Sequence, residues 1–101
     1  MSTPVRITKT RSEVPLIDVD FAHIRKPYLN SGEQINSAYV WEQSGQLDIT
    51  SVTTTGSHVA FYLSSGSPSN IMRVEVAAIT NYGRQVIRSF EMEIVEFRWA
   101  I

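Results

Sequence analysis

Residues 71–94, IMRVEVAAITNYGRQVIRSFEMEI, decide the fold of this 101-residue chain. Apolar side chains alternate with polar ones on both sides of a central turn, which is the pattern of two strands that each bury one face. Asn81, Tyr82 and Gly83 lie between the two runs, and a short loop that ends in glycine is typical of a β-hairpin with a bulged turn. The stretch therefore predicts an antiparallel hairpin. The side chains expected to face the core are Met72, Val74, Val76, Ala78, Phe90, Met92 and Ile94.

Shorter alternating runs precede this hairpin, and polar turns rich in Gly, Ser, Asn and Pro separate them. The runs are residues 15–21 (PLIDVDF), 33–43 (EQINSAYVWEQ), 46–53 (QLDITSVT) and 58–65 (HVAFYLSS). Trp41 shares the parity of Ile35 in the second run, and we expect it to be the core tryptophan that such folds often carry. We therefore predict an all-β protein, an immunoglobulin-like antiparallel β-sandwich of about seven strands.

The composition of the chain excludes several classes of protein. Nine basic and ten acidic residues give a formal charge of -1, so no global field attracts the chain to nucleic acid or to an anionic membrane. The chain contains no cysteine, which removes disulfides and thiolate metal sites. No stretch approaches the ~18 consecutive apolar residues of a spanning helix, and the first residues lack the apolar run of a signal peptide. We expect one compact domain that is made and kept in water.

No arrangement of residues predicts an enzyme, a metal site or a cofactor site. Asp18 and Asp20 share one strand face, but a calcium loop needs more oxygen ligands from a bend, so a solvated acidic face is expected. His23 and His58 lack the further ligands that zinc requires, and the serines stand in no nucleophile motif. Residues 23–28 (HIRKPY) are expected to form a solvated basic loop. Carbohydrate binding stays open, and its candidate residues are Tyr28, Tyr62 and Tyr82.

A set of short elements recurs in an order that points to a family. The elements are a strand ending in DF (residues 20–21), a turn GEQI (32–35), a loop LSSG after a strand ending in Leu (63–66), a turn TNYGR (80–84) and a strand with RSF (88–90). In this order and spacing they resemble a group of small phage virion proteins with an immunoglobulin-like fold, among them fibre-to-tail adaptors. The resemblance covers residues 14–96.

This resemblance implies a structural protein of the virion, synthesised in the host cytoplasm, that binds other virion proteins and performs no chemistry. The expected role is that of a tail or fibre adaptor that forms a homo-oligomer in the assembled particle. A capsid decoration protein is the alternative, and a host-glycan-binding module is a further one. No cofactor is expected, and neither nucleic acid nor a membrane is expected as a partner.

The two ends of the chain are the expected contact regions. We divide the chain into an N-terminal arm (residues 1–13), the sandwich (14–96) and a C-terminal docking tail (97–101). The last apolar residues have odd numbers and fall out of phase with the even-numbered core residues of the strand before them. A β-bulge near Val95 could re-aim them into the same core, or they could dock on another subunit. The residues predicted to contact partners are Val5, Arg6, Ile7, Phe97, Arg98, Trp99 and Ile101.

Overall fold

The computed structural model describes residues 5–22, 28–67 and 70–96, and these residues form seven β-strands. The strands are β1 (Arg6–Thr10), β2 (Leu16–Asp20), β3 (Ile35–Glu42), β4 (Leu47–Thr55), β5 (His58–Ser65), β6 (Ile71–Thr80) and β7 (Gln85–Val95). Within these ranges there is no helix long and apolar enough to cross a membrane.

The strands build two sheets with a shared core between them. One sheet has four strands in the order β1-β7-β6-β3, and the other has three in the order β2-β5-β4. Neighbouring strands are antiparallel except β1, which runs parallel to β7. The groups β3-β6-β7 and β2-β5-β4 correspond to the CFG and BED strands of an immunoglobulin domain. The predicted all-β sandwich of seven strands is therefore confirmed.

The core follows the predicted alternation in the strongest strands. Every side chain that the hairpin sequence assigns to the core is buried, because the register of β6 on β7 sets Met72 opposite Met92 and Val74 opposite Phe90. The opposite sheet contributes fully buried side chains from β5, and one of them, Phe61, stacks on Phe90 with 6.4 Å between the ring centroids. Burial of such large apolar side chains supplies roughly 1.5–3 kcal/mol each before entropy is subtracted.

The predicted hairpin turn is confirmed as well. The N–H of Gly83 donates to the carbonyl of Thr80 at 3.0 Å, and the N–H of Thr80 donates to the carbonyl of Arg84 at 2.9 Å. Gly83 has a φ of 78°, a left-handed conformation that glycine adopts without steric cost. This turn fixes the register of β6 on β7.

The expected position of Trp41 is wrong. A β-bulge interrupts the pairing of β3 with β6 between Ile35 and Ser37, and an extra residue inverts which side chains face the core. Ile35 is buried, whereas Trp41 is 55% exposed on the outer face of the sheet. Glu42 points inward instead, and its carboxylate accepts the backbone N–H of Leu47 at 3.2 Å.

β1 forms one edge of the four-stranded sheet. It pairs with the second half of β7, from Arg6 opposite Glu91 to Thr10 opposite Val95. Ile7 packs against the core. The division of the chain into arm, sandwich and tail stays a prediction, because residues 97–101 lie outside the described residues.

Lys9 shares the inward face of β1 and is fully buried, which the sequence did not predict. Its ammonium group donates to the carbonyl oxygens of Thr10 at 2.7 Å and Ser65 at 2.6 Å. Burial lowers the pKa of Lys9 below its usual value because the charged form loses hydration. The ammonium group therefore links the edge of one sheet to the end of β5 in the other.

Candidate interaction surfaces

Two of the sequence elements that resemble phage virion proteins meet in one hydrogen-bond network. Arg84 donates to both oxygens of the fully buried Glu33 side chain, at 2.6 Å from Nη2 to Oε1 and 2.9 Å from Nε to Oε2. The Thr80 hydroxyl donates to Oε2 at 2.5 Å, and the N–H of Asn30 donates to Oε1 at 2.8 Å. The hydrogen bond from Arg84, with those from Asn30 and Thr80, lowers the pKa of Glu33 to about 2. This carboxylate is a structural charge, held inside the fold.

The turn that carries Glu33 is also tied directly to the β6–β7 hairpin. The N–H of Asn81 donates to the carbonyl of Gln34, and the N–H of Gln34 donates to Oδ1 of Asn81, both at 2.9 Å. The Tyr82 hydroxyl donates to the carbonyl of Ser31 at 2.9 Å. Gly32 has a φ of 78°, a left-handed conformation that favours glycine, and a Cβ there would also lie only 3.1 Å from that hydroxyl.

The DF and RSF sequence elements meet at the side of the sandwich where β2 and β1 form the sheet edges, which we call the open side. Here Arg88 of β7 reaches the end of β2. Its Nη1 donates to the carbonyl oxygen of Asp20 at 2.6 Å. The guanidinium carbon lies 4.9 Å from the centroid of the Tyr28 ring, and that ring makes a T-shaped contact with the buried Phe21 ring, with 6.1 Å between the centroids. The DF and RSF elements therefore connect the two sheets.

The structure places some of the predicted contact residues at this same open side. Val5 is exposed, and Ile7 is half-buried against the core. Arg6 donates to Glu91 Oε1 at 2.9 Å, and this hydrogen bond raises the pKa of Arg6. Phe97, Arg98, Trp99 and Ile101 lie outside the described residues. Contact with a partner stays a prediction for the whole set.

Val5 and Ile7 line a cleft of about 240 Å³, which we call the side cleft. Its other walls are β2 and the part of β7 that extends beyond β1. The lining is mainly apolar, and Ile17, Val19 and Phe90 supply the rest of its apolar side chains. Asp18, Asp20, Arg88 and Ser89 add polar groups.

The outer face of the four-stranded sheet carries a second candidate surface, the sheet-face patch, formed by Tyr39, Trp41, Ala77 and Ile87. Tyr39 is 64% exposed and Ile87 is 49% exposed. Tyr39 lies opposite Ala77, and Ala77 lies opposite Ile87, so the row crosses three strands. Exposed aromatic side chains are enriched at protein interfaces. Sequence reasoning missed this patch because the bulge in β3 turns Tyr39 and Trp41 outward.

The remaining candidates are dispersed. His58 Nδ1 lies 2.9 Å from Asp18 Oδ1 in an exposed pair on the three-stranded sheet. In the ranges that the structure describes, no group of three or more His, Cys, Asp or Glu residues is placed to hold a metal ion. The tyrosines considered for glycan binding stand on separate elements, since Tyr28 lies beneath Arg88, Tyr62 lies on β5 and Tyr82 lies in the β6–β7 turn.

Comparison with known proteins identifies the family to which this chain belongs. A search of curated proteins found no match. A family model described as podophage GP4 fiber-tail adaptor protein gp77 matches residues 9–93. The match spans β2 to β6 and most of β7, so it includes the elements that form the networks around Glu33 and Arg88. The resemblance to phage virion proteins is therefore confirmed, and the chain belongs to the podophage GP4 fiber-tail adaptor protein gp77 family of structural phage proteins.

Proposed function

We propose that this protein is a structural adaptor of the phage tail, which joins a fibre component to the tail by binding without chemistry. The family match over residues 9–93 is the observation that carries this proposal. As an adaptor, the protein is synthesised in the host cytoplasm and becomes a component of the virion. Its partners are other virion proteins, and neither nucleic acid nor a membrane is among them.

The build of the domain supports a binding role. An adaptor must keep its shape while different neighbours bind it, and the networks around Glu33 and Arg88 connect strands and sheets by side-chain hydrogen bonds. The sheet-face patch offers exposed aromatic and aliphatic side chains that a tail or fibre protein can cover. We assign this patch to the contact with another virion protein.

We propose further that several copies act together and that both ends of the chain contribute contacts. Repeated copies multiply weak individual contacts into stable attachment. The contact residues in this proposal are Val5, Arg6 and Ile7 at one end and Phe97, Arg98, Trp99 and Ile101 at the other.

Phage particles made with and without the gene test the adaptor role. We expect deletion to give heads and tails without attached fibres, counted by negative-stain electron microscopy, and complementation with the wild-type gene to restore the fibres. Quantitative mass spectrometry of purified virions is expected to give a copy number close to that of the fibres. Fibres that attach normally without the gene would contradict the proposal. A copy number close to that of the major capsid protein would favour a capsid decoration protein instead.

Substitution of Tyr39 by Asp tests the sheet-face patch in the same particles. A buried, unpaired carboxylate at an interface is costly, so Tyr39→Asp is expected to reduce fibre attachment. Tyr62→Asp is the matched control, because it places the same charge on an exposed tyrosine of the other sheet. Circular dichroism confirms that both variants keep the fold. Equal attachment in both variants would remove the patch from the proposal.

A further inference from the structure

We propose that the side cleft binds residues 97–101 of a second copy of this chain, so that neighbouring adaptors associate head to tail. The inference rests on the proposed function, since it requires several copies in one particle. It names the partner of both chain ends as the same protein.

The side cleft has the size and lining of a site for a large apolar side chain. An apolar cavity of about 150 Å³ holds a benzene molecule, whereas the side cleft measures about 240 Å³. Val5, Ile17, Val19 and Phe90 contribute apolar surface from three different elements. The cleft therefore has room for an aromatic ring and part of the chain that carries it.

Both rims of the side cleft are strand edges. β2 pairs only with β5 among the described strands. The N–H of Phe21 donates to the carbonyl of Ser57. In an antiparallel pair the odd-numbered residues of β2 therefore direct their backbone N–H and C=O groups to β5. The backbone groups of Leu16 and Asp18 point away from β5, towards the open edge. β1 pairs with β7 only from Glu91 onward, and no described strand covers Ser89 on that side. An extended segment can add to such an edge through main-chain hydrogen bonds.

The sequence of residues 97–101, FRWAI, fits this cleft in pattern and in charge. In an extended conformation Phe97, Trp99 and Ile101 share one face, and Arg98 lies on the other. The exposed carboxylate of Asp18 lies at the rim of the cleft, 2.9 Å from His58 Nδ1, and it can also accept a hydrogen bond from Arg98. The residues before Val5, MSTP, have no comparable run of large apolar side chains.

The reach of the chain excludes residues 97–101 of the same copy from the Ser89 end of the cleft, so a segment that fills the whole cleft comes from a second copy. Ser89 at the cleft and Val95 at the end of β7 are six residues apart on one strand, a distance of about 20 Å. Five extended residues span at most about 18 Å, so a segment that starts after Glu96 cannot turn back and lie along Ser89. Because cleft and segment are different surfaces, the contact is heterologous, and repetition closes a ring if the rotation between copies permits it.

Native mass spectrometry and sedimentation of the full chain test the contact. The wild-type protein is expected to associate with rising concentration. Trp99→Ala is expected to raise the dissociation constant at least about tenfold, as loss of a buried interface tryptophan does. Trp41→Ala is the matched control, because it removes an exposed tryptophan outside the cleft and is expected to leave the association unchanged.

Mixing two defective copies gives the sharper result. Trp99→Ala keeps an intact cleft, and Asp18→Arg keeps an intact segment 97–101. At a protein concentration between the dissociation constants of wild type and variants, each variant alone is expected to be mainly monomeric. The mixture is expected to form a one-to-one dimer and nothing larger, since only one intact contact remains. The double variant with Asp18→Arg and Arg98→Asp is expected to regain association.

Other outcomes overturn the inference. They are a wild-type chain that stays monomeric at its highest soluble concentration, or association that Trp41→Ala abolishes and Trp99→Ala preserves. A peptide of residues 94–101 that leaves the NMR signals of Val19 and Phe90 unchanged in the Trp99→Ala protein would also overturn it. If Asp18→Arg particles attach fibres normally while the wild type is monomeric, this inference fails and the adaptor function stands. Fibre attachment without the gene makes the adaptor function itself fail.

Discussion

The Glu33 carboxylate and the Arg84 guanidinium form a bidentate ion pair, with 2.6 Å between Oε1 and Nη2 and 2.9 Å between Oε2 and Nε. Glu33 lies just before β3 and Arg84 just before β7, the two strands that flank β6 in the sheet. The Arg84 side chain is 44% exposed, whereas that of Glu33 is fully covered. Protonation of Glu33 would therefore remove a charge-assisted contact that fastens one end of the sandwich.

Urea unfolding at several pH values tests this pair. The pKa of Glu33 is about 2 in the folded protein and near 4.3 in an unfolded chain, so the folded state binds fewer protons between these values. The stabilisation is fully present above about pH 5 and is lost as the pH falls towards 2. Glu33→Gln is expected to be less stable at neutral pH and to show a flatter pH dependence in this window. Glu75→Gln removes a carboxylate from the outer face of the same sheet as a control, and a wild-type slope in Glu33→Gln would contradict the prediction.

Gly66→Ala is expected to destabilise the protein by about 1–3 kcal/mol through backbone strain and crowding. Gly66 has a φ of 99°, and a Cβ there would lie 2.8 Å from Cδ1 and Cγ1 of the buried Ile94. Gly45→Ala is the control, since Gly45 also has a positive φ, 75°, but no atom lies within 4 Å of its added Cβ. Chemical denaturation measures both variants. Equal losses would show that the contact with Ile94 adds nothing.

Trp41→Ser is expected to change the free energy of unfolding by less than about 0.5 kcal/mol, as exposed substitutions do. The bulge in β3 places this indole on the outer face. Phe61→Ala supplies the comparison, because loss of a fully buried aromatic side chain costs about 3–5 kcal/mol. A loss of that size in Trp41→Ser, measured by urea unfolding, would place Trp41 in the core after all.

Lys9→Met is expected to destabilise the protein by about 1–3 kcal/mol because buried carbonyl oxygens lose their donor. Methionine keeps most of the side-chain volume, so the change reports the loss of hydrogen bonds to Thr10 and Ser65. Arg11→Met, at an exposed position nearby, is the control. Thermal unfolding followed by circular dichroism measures both, and an unchanged or raised midpoint in Lys9→Met would contradict the prediction.

Local alternation predicted most of the fold because it reports directly which side chains share a face. It succeeds in β5, β6 and β7, where Val59, Val74 and Phe90 are buried in phase. It fails in β3, since a bulge changes the phase without any sign in the residues themselves. The error over Trp41 also hid the sheet-face patch.

Alternation along the sequence could not predict contacts between residues that are far apart in the chain. Glu33 and Arg84 stand in separate short elements 51 positions apart, and periodicity alone does not show that they meet. Lys9 lies on the inward side of an alternating run, although a lysine side chain is normally expected to be exposed to solvent. Only the carbonyl groups that converge on it in the folded chain explain its burial.

The parallel pairing of β1 with β7 joins the first and the last described strands, and the Arg6–Glu91 contact spans 85 positions of sequence. During synthesis the ribosome delivers β1 early and its hydrogen-bonding neighbour only after all the other strands have emerged. In a nascent chain that stalls before Glu91, β1 therefore has no strand to pair with, and Ile7 lacks the β7 residues that it packs against. The edge of the four-stranded sheet beside the side cleft is therefore complete only in molecules whose β7 has been synthesised.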